Sequence, residues 1–156
     1  MPRLATIAAL LLGTVVIPSI EARNLEVPSY DKLFAKSDFV VIARPVTATR
    51  DTREHSAMRD LGDPPIPVIG VETDFESLLV IKGRRRQRFT LHHYRWAPPD
   101  EKVVMVNGPR FVSYDSKPSQ PTLLMFLVRE RDGRFAPAAG QADPESISIE
   151  TVSGMQ

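Results

Sequence analysis

Residues 71–96, VETDFESLLVIKGRRRQRFTLHHYRW, decide how this chain folds. Val71, Thr73 and Phe75 alternate with Glu72, Asp74 and Glu76, the period of two that marks a half-buried strand. From Leu78 to Ile81 the alternation stops and every residue is apolar. Lys82-Gly83 breaks that run, and Arg88–Trp96 resumes as a second strand. With the connection placed at Lys82–Gln87, Leu78 faces Leu91 and Val80 faces Phe89, while Glu76 meets His93 and Asp74 meets Arg95. On the opposite face Phe75 meets Tyr94 and Thr73 meets Trp96. Apolar and opposite-charge cross-strand pairs each stabilise a ladder by roughly 0.2–1 kcal/mol, so this register is self-consistent. One face is then apolar near the turn and charged away from it. A strand whose buried face changes along its length belongs in a strongly coiled sheet, such as a small closed barrel.

Residues Met1–Ala22 read as a signal peptide and not as part of the fold. Arg3 gives a positive start, Leu4–Ile17 is an apolar run, Pro18 ends it, and Ala22 offers a small residue for cleavage. The apolar run is shorter than the roughly 20 residues of a spanning helix. The chain is therefore expected to be secreted or periplasmic, with no membrane span after cleavage. Removing 22 of 156 residues leaves 134, enough for one domain over 23–156. Cysteine is absent, which excludes disulfides, thiolate metal sites and a lipid-modified cysteine. The net charge of +1 survives processing, because Arg3 and Glu21 leave together. A neutral whole gives no general pull on nucleic acid, and sequence-specific nucleic-acid binding is not expected.

Along the rest of the chain, Ser29 caps a short helix reaching Lys36, with Asp31 in its first turn and Tyr30, Leu33 and Phe34 on one face. Phe39–Ala43 is a strand apolar on both faces, continued weakly from Val46 to Thr49, with Pro45 marking a bulge or an edge. Arg50–Pro67 is polar, mixed in charge and proline-rich at its end, and reads as a long exposed loop. Asn107-Gly108 signals a second hairpin between Val103–Val106 and Arg110–Tyr114, which Pro109 weakens. Thr122–Arg129 is apolar on both faces and reads as the most buried strand; Arg131-Asp132-Gly133 turns it into a short return strand. The tail after Pro144 holds one short element of either type. Fourteen prolines against eight glycines fit rigid loops between strands. The fold class is all-β with one or two short helices, a small OB-type Greek-key barrel of five or six strands.

Three stretches carry a resemblance: Ser37–Val46 (SDFVVIARPV), Thr73–Phe75 through Val80-Ile81-Lys82-Gly83, and Leu123–Leu127 with Asp132–Phe135. In that order they resemble the netrin-like domains, which include the inhibitory domain of the tissue inhibitors of metalloproteinases. The match runs over residues 30–137, in motifs that are structural. It implies an OB-type barrel, and is similar too to secreted bacterial proteins on the same scaffold. Those inhibitors chelate a protease zinc through an N-terminal cysteine; here the expected mature start is Arg23-Asn24-Leu25. That mechanism therefore does not transfer, and inhibition would need another wedge.

Lys82, Arg84, Arg85, Arg86 and Arg88 are the densest charge, at the tip between the two long strands. Guanidinium groups hold phosphate, sulfate or carboxylate by forked hydrogen bonds, so the tip is the candidate binding site. The plainer alternative is a solvated turn that keeps an exposed hairpin soluble. In a secreted protein the partner is an anionic polymer of the cell envelope or a protein. His92 and His93 are adjacent in a strand and point to opposite faces, so they cannot share a metal; no metal and no cofactor is expected. Tyr94 and Trp96, with His92, form either a stacking platform or one end of the barrel. Glu72, Asp74 and Glu76 share a face and give the one arrangement that mimics a catalytic carboxylate pair. Nucleophile elbows and Gly-rich phosphate loops are missing. Two classes remain, a non-catalytic binding module and an extracellular enzyme on the Glu72–Glu76 face. Acids gathered in a pocket favour the second; acids splayed on a convex surface favour the first.

Overall fold

The computed structural model describes residues 28–58, 65–97, 111–115, 121–141 and 148–152. Helix α1 (Tyr30–Lys36) begins at Ser29, whose hydroxyl accepts the Lys32 backbone N–H, with Asp31 in the first turn. Seven strands follow: β1 (Phe39–Pro45), β2 (Arg50–Met58), β3 (Ile66–Lys82), β4 (Arg88–Trp96), β5 (Leu123–Arg129), β6 (Phe135–Pro137) and β7 (Ile149–Thr151). Five of them close on themselves in the order β1-β3-β4-β6-β5, and β5 returns to β1. The β4–β6 contact is parallel and the other contacts around the ring are antiparallel. This is a small all-β, OB-type barrel, with β2 added to β3 and β7 to β5.

Interior and exterior follow from alternation. Phe39, Val41 and Ala43 of β1, Phe75 of β3, Phe89 and Leu91 of β4, and Leu123, Met125 and Leu127 of β5 fill the barrel. Rings interlock there: Phe75 stacks on Phe89 at 5.5 Å between centroids, and Phe39 meets Phe135 at 5.0 Å. The outer residues Val40 and Phe126 are covered by Leu33 of α1 in a second, smaller core. That is why β1 and β5 are apolar on both faces. Of Tyr30, Leu33 and Phe34 only Leu33 is buried; Tyr30 leans on Phe126 and bonds Glu150, and Phe34 stays partly exposed.

Three expectations are corrected. First, the β3–β4 register differs from the one the turn implied. Phe75 faces Phe89, Thr73 faces Leu91 and Val71 faces His93, so the ladder ends at Glu76–Arg88 and not at Val80–Phe89. Beyond Glu76, β3 leaves β4 and pairs with β1 only. Two bulges in that segment break the alternation: Ser77 and Val80 sit opposite the inward Ala43 and Val41, with Leu78 and Leu79 both falling between them. Leu78, Leu79 and Ile81 are consequently 47%, 54% and 49% exposed. Second, Arg50–Pro67 is not a loop throughout, because Arg50–Met58 is strand β2 and Ile66 already opens β3. Third, residues 46–49 are not a continuation of β1; Val46 N–H bonds Asp74 O and Thr49 N–H bonds Tyr114 O outside any strand. The uncertain tail element is strand β7. Of the hairpin expected around Asn107-Gly108, only Phe111–Tyr114 is described, and it is not a strand; the turn and the first arm, like residues 1–22, lie outside the described residues.

Candidate functional site

The basic tip is built by the parting of β3 and β4. Their last shared bond is Ser77 N–H to Gln87 O, at 3.0 Å. The chain then turns at Gly83, whose φ of 95° suits glycine. A Cβ there would lie 2.5 Å from Asp38 O, so the backbone of the tip rests directly against the start of β1. The five predicted cations diverge in role. Lys82 is engaged locally: its Nζ donates to Phe34 O at 2.5 Å and Ala35 O at 3.3 Å, and lies 4.9 Å over the Phe34 ring. It caps the C-terminal end of α1, where cations are favoured. Arg86 lies 5.4 Å over the ring of Phe135. Arg85 and Arg86 border a groove of about 660 Å³ along Ser77–Val80. Arg88 borders another, of about 340 Å³, beside Asp74 and Thr90. Among the described residues no carboxylate comes within ion-pair distance of Arg84, Arg85, Arg86 or Arg88.

The outer carboxylates are placed very differently. Glu76 pairs with Arg44 at 2.8 Å, Asp74 with Arg50 at 2.8 Å, and Glu72 with both Arg50 and Arg134 at 3.1 and 2.9 Å. Arg50 above all, helped by the Thr90 hydroxyl, holds Asp74 below the ordinary carboxylate range. The pairs expected from the sequence, Glu76–His93 and Asp74–Arg95, do not form. Arg95 instead binds Asp51 of β2 at 2.7 Å. His93 points into the barrel, where Nε2 is 3.3 Å from the Thr73 hydroxyl.

A second constellation went unseen in the sequence. His92 faces outward yet is fully buried, because β2 folds over it. Asp51 pairs with Val71 and His55 with Ile69, so two extra residues of β2 arch above Gly70. The Thr52 hydroxyl donates to Gly70 O at 2.8 Å, and a Cβ on Gly70 would meet Glu54 at 3.0 Å and His92 at 3.1 Å. Gly70 thus gives Glu54 its passage to β4. There the Tyr94 hydroxyl donates to Glu54 at 2.6 Å, and Glu54 lies 3.2 Å from His92 Nε2 without hydrogen-bond alignment. His92 Nδ1 lies 2.9 Å from both oxygens of Glu130. Arg134 joins Glu72, Glu54, Glu130 and Asp132 at 2.7 to 3.6 Å. Burial, then Glu54, pushes the Tyr94 hydroxyl up to about 12, and the same bond holds Glu54 below its usual range. Apart from His92 Nε2, which has no hydrogen-bond partner, the groups of this set engage one another and tie β2, β4 and the β5–β6 turn together. The signal available in the sequence was Gly70, a glycine inside a strand that marks a close approach. Trp96 makes no open platform, since Phe111 meets it edge-on at 4.6 Å.

Among the described residues no group of three histidine or carboxylate side chains could hold a metal ion. None of their helices is long and apolar enough to cross a membrane. No family model, curated protein or solved structure matches the chain.

Proposed function

We propose that this chain is an exported, non-catalytic binding module that engages an anionic polymer or surface of the cell envelope through its β3–β4 tip. One observation carries the reading. Arg44, Arg50, Arg95 and Arg134 are each ion-paired, whereas Arg84, Arg85 and Arg86 have no carboxylate within ion-pair distance among the described residues, and Arg88 acts on Asp74 only at longer range. Charge of one sign without ion-pair partners on a turn, beside the exposed Leu78, Leu79 and Ile81, is what an anionic partner complements. The neutralised, outward Glu72, Asp74 and Glu76 support the non-catalytic half of the proposal. Export rests on the leader pattern of residues 1–22. The netrin-like resemblance belongs to the same proposal; its support is that the resembling motifs fall on β1, β3 and the β5–β6 turn of the barrel.

Wild-type protein should bind immobilised heparin or vesicles rich in anionic lipid at low salt, and release steeply as salt rises. Changing Arg84, Arg85 and Arg86 together to Ser should weaken binding about 100-fold, taking about 1 kcal/mol per surface cation. Tm should change little, since Arg84 and Arg85 are exposed and Arg86 gives up only its contact over the Phe135 ring. The control Arg53→Ser, an exposed cation on β2 at the other end of β3, should retain most of the affinity. Undiminished binding by the triple variant would sink the proposal.

A further inference from the structure

The tip is not alone at its end of the barrel. Arg129, the last residue of β5, borders the same depression as Arg84 and Arg86, a hollow of about 370 Å³ floored by Phe39 and Phe135 and edged by Asp38. We infer that this hollow is a specific site for a phosphate monoester. The inference deepens the function proposed above and rests on it.

Three arguments converge. The arginines come from two distant segments, yet the frame between them is stiff. Asp38 N–H bonds Leu127 O at 2.9 Å, the Asp38 carboxylate accepts the Arg129 N–H at 2.8 Å, and Gly83 packs on Asp38 O. The guanidinium of Arg86 is already held over the Phe135 ring, so little of its freedom remains to be lost on binding. The charge sum is the third. Three guanidinium groups and one carboxylate leave a surplus of two positive charges at the hollow. A phosphate monoester carries about −1.5 to −2 near neutral pH and three terminal oxygens, which matches both the surplus and the number of forks. A phosphodiester, a sulfate ester or a carboxylate brings only one charge.

The test uses the full chain, with phenyl phosphate and phenyl sulfate as isosteric probes followed by calorimetry. Phenyl phosphate should bind at least tenfold more tightly than phenyl sulfate. Arg129→Gln should lose at least tenfold toward phenyl phosphate while heparin binding by the tip falls much less. Arg84→Gln, at an exposed position, should lose as much, which guards against a folding defect in the Arg129 variant. Arg85→Gln, which borders the neighbouring groove, should not. Vesicles containing phosphatidic acid, against phosphatidylglycerol, identify the source. A preference for phosphatidic acid that Arg129→Gln abolishes means a lipid-borne monoester, and its absence beside phenyl phosphate binding means a soluble one. Equal binding of the two phenyl esters, or an Arg129→Gln variant that binds like wild type, overturns the site. If heparin binding also fails in the wild type, the tip reading falls with it; if heparin binding survives, only the monoester site falls.

Discussion

Replacing Phe75 by alanine is expected to destabilise the protein by about 3–5 kcal/mol, the range for truncating a buried phenylalanine. Phe75 is fully buried at the middle of β3, stacked on Phe89 and edge-on to Tyr114 at 5.2 Å. Phe75 and Phe89 sit on strands whose spacing is fixed by ladder bonds, which limits collapse of the cavity. Leu79→Ala, four residues further along the same strand, should cost well under 1 kcal/mol because about half of that side chain already meets water. The pair tests the register directly. With the connection at Lys82–Gln87 and no bulge, Leu79 would share the face of Phe75 and the two costs would be similar. Urea unfolding of both variants decides it, and comparable losses would refute the bulged course of β3.

Acidification should remove roughly 2 kcal/mol of stability by pH 5 and roughly 3 by pH 4, through His93 alone. Burial, and secondarily the neighbouring His92, lowers this imidazole from 6.5 to about 4. The folded protein therefore keeps His93 neutral where the unfolded chain takes up a proton. Its contribution is complete above pH 6.5, and is lost as pH falls from there through about 4. A neutral ring suits the site, since a proton on Nε2 donates to Thr73 and leaves Nδ1 as a bare acceptor without a partner. A second proton on Nδ1 would be a buried donor facing nothing, beside its charge. Asp51, Glu54 and Asp74 are also held low, but their losses begin only as pH falls into the ordinary carboxylate range, below about pH 5. The interval between pH 6.5 and 5 thus isolates the histidine. His93→Gln should be less stable at pH 7 and nearly flat across that interval. A variant with the wild-type slope would assign the acid sensitivity elsewhere.

Legibility in the sequence divided along physical lines. The helix was readable because Ser29 and Asp31 are local devices, sensed within one turn. Strands β1 and β5 were readable because burial on both faces leaves an unbroken apolar run. The register of β3 on β4 was not, since Leu78–Ile81 offers no alternation to count and the ladder already ends at Glu76–Arg88, beyond which β3 pairs with β1. Strand β2 was invisible for a different reason. Its residues are held by charge partners such as Glu72, Asp74 and Arg95, far along the chain, and hardly at all by an apolar face. At the candidate site the arginine run was plain in the sequence. Which of those cations lack a counter-ion, and that Arg129 joins two of them, depends on closure of the barrel.

That closure also governs how the protein comes to be folded. Residues 39–43 must find residues 123–127 before the ring exists, a contact spanning more than half of the chain. The β3–β4 ladder, nearly local, can form first, whereas the seam carries the entropy of a long loop and is formed late. Refolding should then run in milliseconds to seconds, as for other barrels dominated by distant pairings. Until the seam zips, Val41 and Met125 stand without each other. An exported chain would pass through that interval outside the cytoplasm, with two apolar strand edges open to any neighbour.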